Sequence, residues 1–285
     1  MKHSQLNINQ TRPGIELDYD AIIVGAGIAG LYQLYQLRKI GMKVRVFESG
    51  TGIGGTWYWN RYPGARFDSE SYSYGYSFSE DLLNEWDWSE HFASQPEILR
   101  YLQHVAHKFD LNRDIQFSSD VQSAIYDDTT RSWRIQLENS DTYTSRFLIT
   151  GIGLLSEPTL PKIEGIESFT GDSFHTSRWP HDPVNFSGKR VAIIGTGASG
   201  VQVIQEICKD VGRLSVFQRR PNWCAPLHNA NIGPDEMKDI RSQYNAIFER
   251  CSQTQAGFLH TVDPRSTFEV SEEERYAFWE HLYAS

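Results

Sequence analysis

Two short glycine runs carry residue types and spacings that could do chemistry. Gly25, Gly27 and Gly30 lie in "VGAGIAG", and Gly195, Gly197 and Gly200 lie in "IGTGASG". Such spacing makes the tight turn, removes the Cβ where a pyrophosphate nears the backbone, and brings helix against strand. The helix that follows adds oriented N–H groups and a partial positive charge. Each copy follows an apolar run and opens a helical pattern, the context that gives the motif meaning. The chemistry implied is the binding of two dinucleotides.

The residues closing the second strand of each unit separate the two sites. In the first unit that residue is Glu48, whose carboxylate accepts from a free ribose diol and repels a 2′-phosphate. FAD or NAD is expected there. In the second unit the strand ends in Gln218-Arg219-Arg220, with no acid and two guanidinium groups able to grip a 2′-phosphate. NADP(H) is expected there. A disulfide reductase needs a redox cysteine pair beside the flavin loop. The first cysteine is Cys208, which excludes that class and leaves oxygenases and simple flavin reductases.

The elements that must position these groups are readable from pattern. Ala21 to Val24 reads as a buried parallel strand, followed by a helix to Ile40, a stop at Gly41 and the strand "KVRVFE". The plan recurs from Ala192–Ile194 through a helix ended by Gly212 to "RLSVFQ". Between them, Ser94 and Glu97 are spaced as a capping box before the stripe Ile98, Leu102, Val105 and Phe109. "SSDVQSAIYDDTTRSWRIQLENSDTYTSRFLIT" alternates like antiparallel strands, and a Pro-rich linker follows. Pro234 opens a helix with Ile240, Tyr244, Ile247 and Cys251 on one stripe; Ser271 and Glu274 cap another that carries Phe278, Trp279 and Leu282. The expected fold is α/β: two Rossmann-like dinucleotide-binding domains, three-layer, the second incomplete with a helical insertion. The expected boundaries are a flexible 1–17, an FAD-binding 18–155, a linker 156–188 and an NADP-binding 189–285.

Composition narrows the partners. A formal charge of −9 argues against nucleic acid, which demands a basic face. No apolar run reaches the roughly 20 residues of a membrane span, and the polar start is neither signal nor transit peptide. Three scattered cysteines make neither a disulfide framework nor a metal cluster, so no metal is expected and a cytoplasmic location is.

The stretch after the first unit reads "GGTWYWNRYPGARFDSESYSYGYSFS", and the linker contains "FTGDSFHTSRWP". Gly55, Trp57, Tyr62, Pro63, Gly64 and Asp68, together with Phe169, Gly171, His175, Trp179 and Pro180, resemble the two signatures of type I flavin-dependent Baeyer–Villiger monooxygenases, a branch of the class B flavoprotein monooxygenases. The resemblance covers nearly all of residues 18–285. It implies FAD held by Gly25, Gly27, Ile28, Gly30, Glu48, Gly55, Thr56, Trp57, Asp68, Tyr74 and Val121. It implies NADPH held by Arg66, Thr196, Gly197, Ala198, Ser199, Gly200, Gln202, Arg219 and Arg220. His175 reads as a coupler of domains or a hydrogen-bonded linker residue rather than a substrate contact.

The activity so implied is insertion of one oxygen of O2 beside a ketone carbonyl, through a C4a-peroxyflavin, to give an ester or lactone. Asp68 matches the family's carboxylate that orients a peroxide-stabilising arginine. That arginine is expected beyond Ser285, so this chain alone is expected to be catalytically incomplete, and a longer homologue or an oligomer is the expected partner. A relative oxidising sulfur or nitrogen and a non-catalytic FAD-binding product are the alternatives. Phe67 and Arg220 depart from the family's common residues, the latter in the direction of firmer phosphate binding.

Overall fold

A computed structural model describes residues 16–222, 224, 226–260 and 264–284. Most of the expected flexible 1–17 and the Leu282 side chain lie outside them. By internal packing the chain forms two compact units, one of residues 1–59 and 102–171, the other of 60–101 and 172–285.

The first unit opens with β1 (Tyr19–Val24), α1 (Ile28–Lys39) and β2 (Val44–Phe47), then the short α2 (Thr56–Trp59). Ala21, Ile22 and Ile23 are fully buried, as a strand covered on both faces requires. The second unit contributes α3 (Ser71–Tyr74), α4 (Glu80–Glu85) and the start of α5 (Gln95–Lys108), which ends in the first. β3 (Ile115–Gln116), β4 (Val121–Asp127), β5 (Ser132–Leu137) and β6 (Thr142–Thr150) complete the first unit's six-stranded sheet. Its order is β3-β2-β1-β6-β5-β4, parallel from β3 to β6 and antiparallel through β5 and β4. Ile22, Phe47, Ile135 and Leu137 form a core cluster, against which Val121 and Trp133 pack.

The second unit repeats the nucleotide plan in β7 (Arg190–Ile194), α6 (Ala198–Ile207) and β8 (Arg213–Phe217), a parallel two-stranded sheet. β7 is not the buried run its sequence suggests: burial alternates and Ile194 is 63% exposed, while Phe217 at the end of β8 is 59% exposed. Each of these strands has one strand neighbour among the described residues. α7 (Pro234–Gln253) buries Ile240, Tyr244 and Cys251 of the expected stripe, with Ile247 half-buried, and α8 (Glu272–Ala284) follows. Ser271 and Glu274 make the expected reciprocal cap of α8. The expected box at Ser94 is not made that way. The Glu97 carboxylate accepts instead from the Ser89 backbone N–H and hydroxyl, at 2.8 and 2.7 Å.

Candidate nucleotide sites

In the first unit, Gly25 sits at φ +100°, where a side chain is strained, and a Cβ on Gly30 would fall 1.9 Å from the Gly25 carbonyl oxygen. Only glycine lets α1 start this close to β1. Gly55, at φ +53°, lies against the loop so tightly that its Cβ would reach 2.8 Å from the Gly27 Cα. The Gly54 N–H donates to the Ala26 carbonyl, and the Gly151 N–H at the end of β6 donates to Val24. α1 begins at Gly27 with no side-chain cap and no acid in its first turn, while Arg38 and Lys39 occupy its last. Its N-terminal N–H groups thus suit an anion.

Glu48 is only 4% exposed. One carboxylate oxygen accepts from the Ala26 N–H at 2.7 Å and the other from the Gly50 N–H at 2.8 Å. The carboxylate therefore pins the glycine loop to the end of β2; one oxygen also accepts from the Ser49 hydroxyl at 3.5 Å, and the oxygen bonded to Ala26 keeps a second acceptor direction for a ribose hydroxyl. Tyr58 lies over Gly50 and Gly52 and bonds Thr51 through its hydroxyl, a packing role. Trp57 is buried, Thr56 exposed and Ile28 half-buried. Val121 follows the turn whose Ser118 and Ser119 N–H groups donate to Gly50 and Glu48.

In the second unit, a Cβ on Gly200 would lie 2.5 Å from the Gly195 carbonyl, whereas nothing comes within 4 Å at Gly197. α6 also starts uncapped and without an acid. Thr196 offers its carbonyl to the Asn222 amide, Ala198 opens the helix, and Arg219 and Arg220 stand exposed after β8 with no ion pair among the described residues.

The "YPGARFD" turn belongs to this unit. Gly64, at φ +78°, fits where a Cβ would come 2.7 Å from the Gln202 carbonyl of α6. The Tyr62 hydroxyl donates to Gln202 Oε1 at 2.9 Å, and Gln202 Nε2 donates to the Arg66 carbonyl at 3.1 Å. Burial, offset by a hydrogen bond from Ser199 and reinforced by Asp68, holds the Tyr62 phenol above its ordinary range. Arg66 Nη1 bonds Glu90 at 2.8 Å and the Phe92 carbonyl at 2.9 Å, and Asn229 also donates to Glu90 at 2.8 Å. Asp68 is exposed, with no hydrogen bond or ion pair among the described residues, and Tyr74 stacks on Phe67 with ring centroids 3.8 Å apart. Glu90, Asn222 and Asn229 escaped sequence reasoning, for no local spacing announces their partners.

The linker signature has a physical basis too. The Phe169 ring occupies the space a Gly171 Cβ would fill. His175 Nδ1 accepts from the Ser177 N–H at 3.2 Å, capping a short 3₁₀ turn, which is the linker role expected of it. Trp179 lies beside Phe174 and Phe186. Among the described residues no helix is long and apolar enough to cross a membrane, and no His, Cys, Asp and Glu cluster forms a metal site.

These two built loops, on a parallel-rich α/β plan, are those of a dinucleotide-binding oxidoreductase. The chain belongs to the pyridine nucleotide-disulphide oxidoreductase family, whose model matches residues 22–274. Cys208, Cys224 and Cys251 are all free, so the family's disulphide chemistry has no cysteine pair here. The chain is 47% identical over 270 residues to the 2-oxo-Δ3-4,5,5-trimethylcyclopentenylacetyl-CoA monooxygenase of Pseudomonas putida, covering 93% of this chain and 50% of that one. It is 46% identical over 239 residues to a methyl acetate-forming acetone monooxygenase of Gordonia sp. strain TY-5, covering 84% and 45%. The solved complex of OTEMO with FAD and NADP matches with a TM-score of 0.89 at 46% identity, covering 95% of this chain and 52% of that one. The kinship with Baeyer–Villiger monooxygenases and the Rossmann-like fold expected from the motifs are both borne out. The chain spans about half the length of the curated relatives it matches.

Proposed function

We propose that this chain carries the two nucleotide sites of an FAD- and NADPH-dependent monooxygenase that converts a ketone and O2 to an ester or lactone. The observation that carries the reading is the opposite chemistry at the two strand ends. Glu48 is a buried carboxylate bonded to its glycine loop, and Arg219 and Arg220 are exposed cations beside an open one. FAD falls to the loop at Gly25, Gly27, Ile28 and Gly30 with Glu48, Gly55, Thr56, Trp57 and Val121. NADPH falls to Thr196 through Gly200 with Arg219 and Arg220. When bound, the reduced flavin supplies the electrons that activate O2. Asp68, exposed and without a hydrogen bond or ion pair among the described residues, is the carboxylate available to hold a cation near the reacting oxygen.

The domain assignment that goes with this reading is FAD on 18–155, a linker over 156–188 and NADP(H) on 189–285. Exposed thiols at Cys208 and Cys224 suit a reducing, cytoplasmic setting. Exposed Phe278 and Trp279 suit a longer homologue or an oligomer as partner. The test supplies NADPH, 18O2 and a panel of ketones and sulfides to protein extended to the relatives' length. An ester carrying one labelled oxygen is expected; sulfoxide alone overturns the reading. Asp68→Ala in that protein should retain FAD, cut ester formation and release hydrogen peroxide.

A further inference from the structure

The Tyr62–Gln202 contact lies within the second unit but joins the turn bearing Asp68 to the helix of the second glycine loop. Its hydrogen-bond direction is fixed from one end. The Arg66 carbonyl can only accept, so the group that Gln202 turns toward it is the amide NH2. That leaves Oε1 facing Tyr62, which must therefore donate. The chain runs from the Tyr62 hydroxyl to Gln202, and from Gln202 to the Arg66 carbonyl.

Ser199 belongs to the first turn of α6, whose N–H groups are uncapped. Gln202, for its part, is turned to the 62–66 turn by both ends of its amide. Gly64, seated on the Gln202 carbonyl, closes the same junction.

We propose that Tyr62 and Gln202 are positioning residues of the second nucleotide site. They orient the first turn of α6 for the pyrophosphate and tie that orientation to the turn that carries Asp68. This rests on the reading of that loop as the NADPH site. Because the pyrophosphate is common to both nicotinamide cofactors, their loss acts on NADPH and NADH alike, unlike loss of a 2′-phosphate contact.

The experiment titrates NADPH and NADH into the full chain loaded with FAD, for the parent, Tyr62→Phe, Gln202→Met and Arg219→Ala. Tyr62→Phe and Gln202→Met should each weaken both cofactors by roughly fivefold, the value of one hydrogen bond. Arg219→Ala should weaken NADPH selectively, and FAD retention should not change in any variant. In a Gln202→Met background, Tyr62→Phe should add less than about twofold, a coupling that a generally loosened fold would not produce. Unchanged affinities in both variants, a loss confined to NADPH, a parallel loss of FAD, or full additivity of Tyr62→Phe with Gln202→Met would each overturn the proposal. A parent chain that binds neither cofactor at the second loop, or an Arg219→Ala without selectivity, would instead overturn the reading beneath it.

Discussion

The two glycine loops share a spacing but not a setting: the first is enclosed and the second open. The first is packed from three sides: Glu48 bonds Ala26, Gly55 lies on Gly27, and Gly151 closes the end of β1. A ligand seated there is held by groups already ordered by a six-stranded sheet. The second loop has open space at Gly195 and Gly197, a two-stranded sheet behind it, and exposed arginines at its side. Exposed charges give selectivity and fast exchange more than burial. Under the proposed assignment, a tightly kept flavin fits the first setting and a diffusible NADPH the second.

The comparison breaks most sharply at its glycines. Gly30→Ala puts a methyl group 1.9 Å from a backbone oxygen, which neither loop nor helix can absorb without separating. It should cost about 3 kcal/mol or more and abolish FAD retention. Gly197→Ala meets nothing within 4 Å and keeps a φ of −72° open to any residue. Its effect on stability should stay within about 0.5 kcal/mol. Thermal melts and FAD titration of both variants check the contrast; equal destabilisation would mean that the second loop is as closely packed as the first.

Next in size is the cation pair. Removing both Arg219 and Arg220 should weaken NADPH by about 2–3 kcal/mol, with NADH nearly unchanged. Calorimetric titration of the double Ala variant measures this. An equal loss for both cofactors would remove the basis for distinguishing the loops by cofactor.

Both glycine loops were legible in the sequence because they depend on neighbours a few residues apart. The same locality made the Ser271–Glu274 cap readable. Other contacts join partners distant in the chain, which no local spacing announces. Glu97 sits at capping distance from Ser94, yet its carboxylate is drawn to two Ser89 donors. Gln202 has the position of a nucleotide contact, but Tyr62, 140 residues earlier in the chain, claims its amide oxygen. The Arg66 guanidinium, expected to face NADPH, is bonded to Glu90 and Phe92. In β7 the apolar run did not disclose that alternate residues face outward.

The smallest effect concerns that Arg66–Glu90 clasp, which holds the Asp68-bearing turn within the second unit. Partial burial of Glu90 opposes its ionisation, but the bonds from Arg66 and Asn229 outweigh it and hold the carboxyl below its ordinary range. A carboxylate depressed in the folded state binds fewer protons there than in the unfolded chain. Its stabilisation is present above the ordinary carboxyl range and is lost as pH falls through the lower folded value. Both side chains are about one-quarter exposed, at 27% and 28%, so the clasp is worth at most about 1 kcal/mol. Glu90→Gln should lower the melting temperature slightly at pH 7, and the gap from the parent should close as both are taken toward pH 3. A gap that persists undiminished in acid would mean that Glu90 acts through shape rather than charge. The second loop's neighbourhood would then be tied down as firmly as the first.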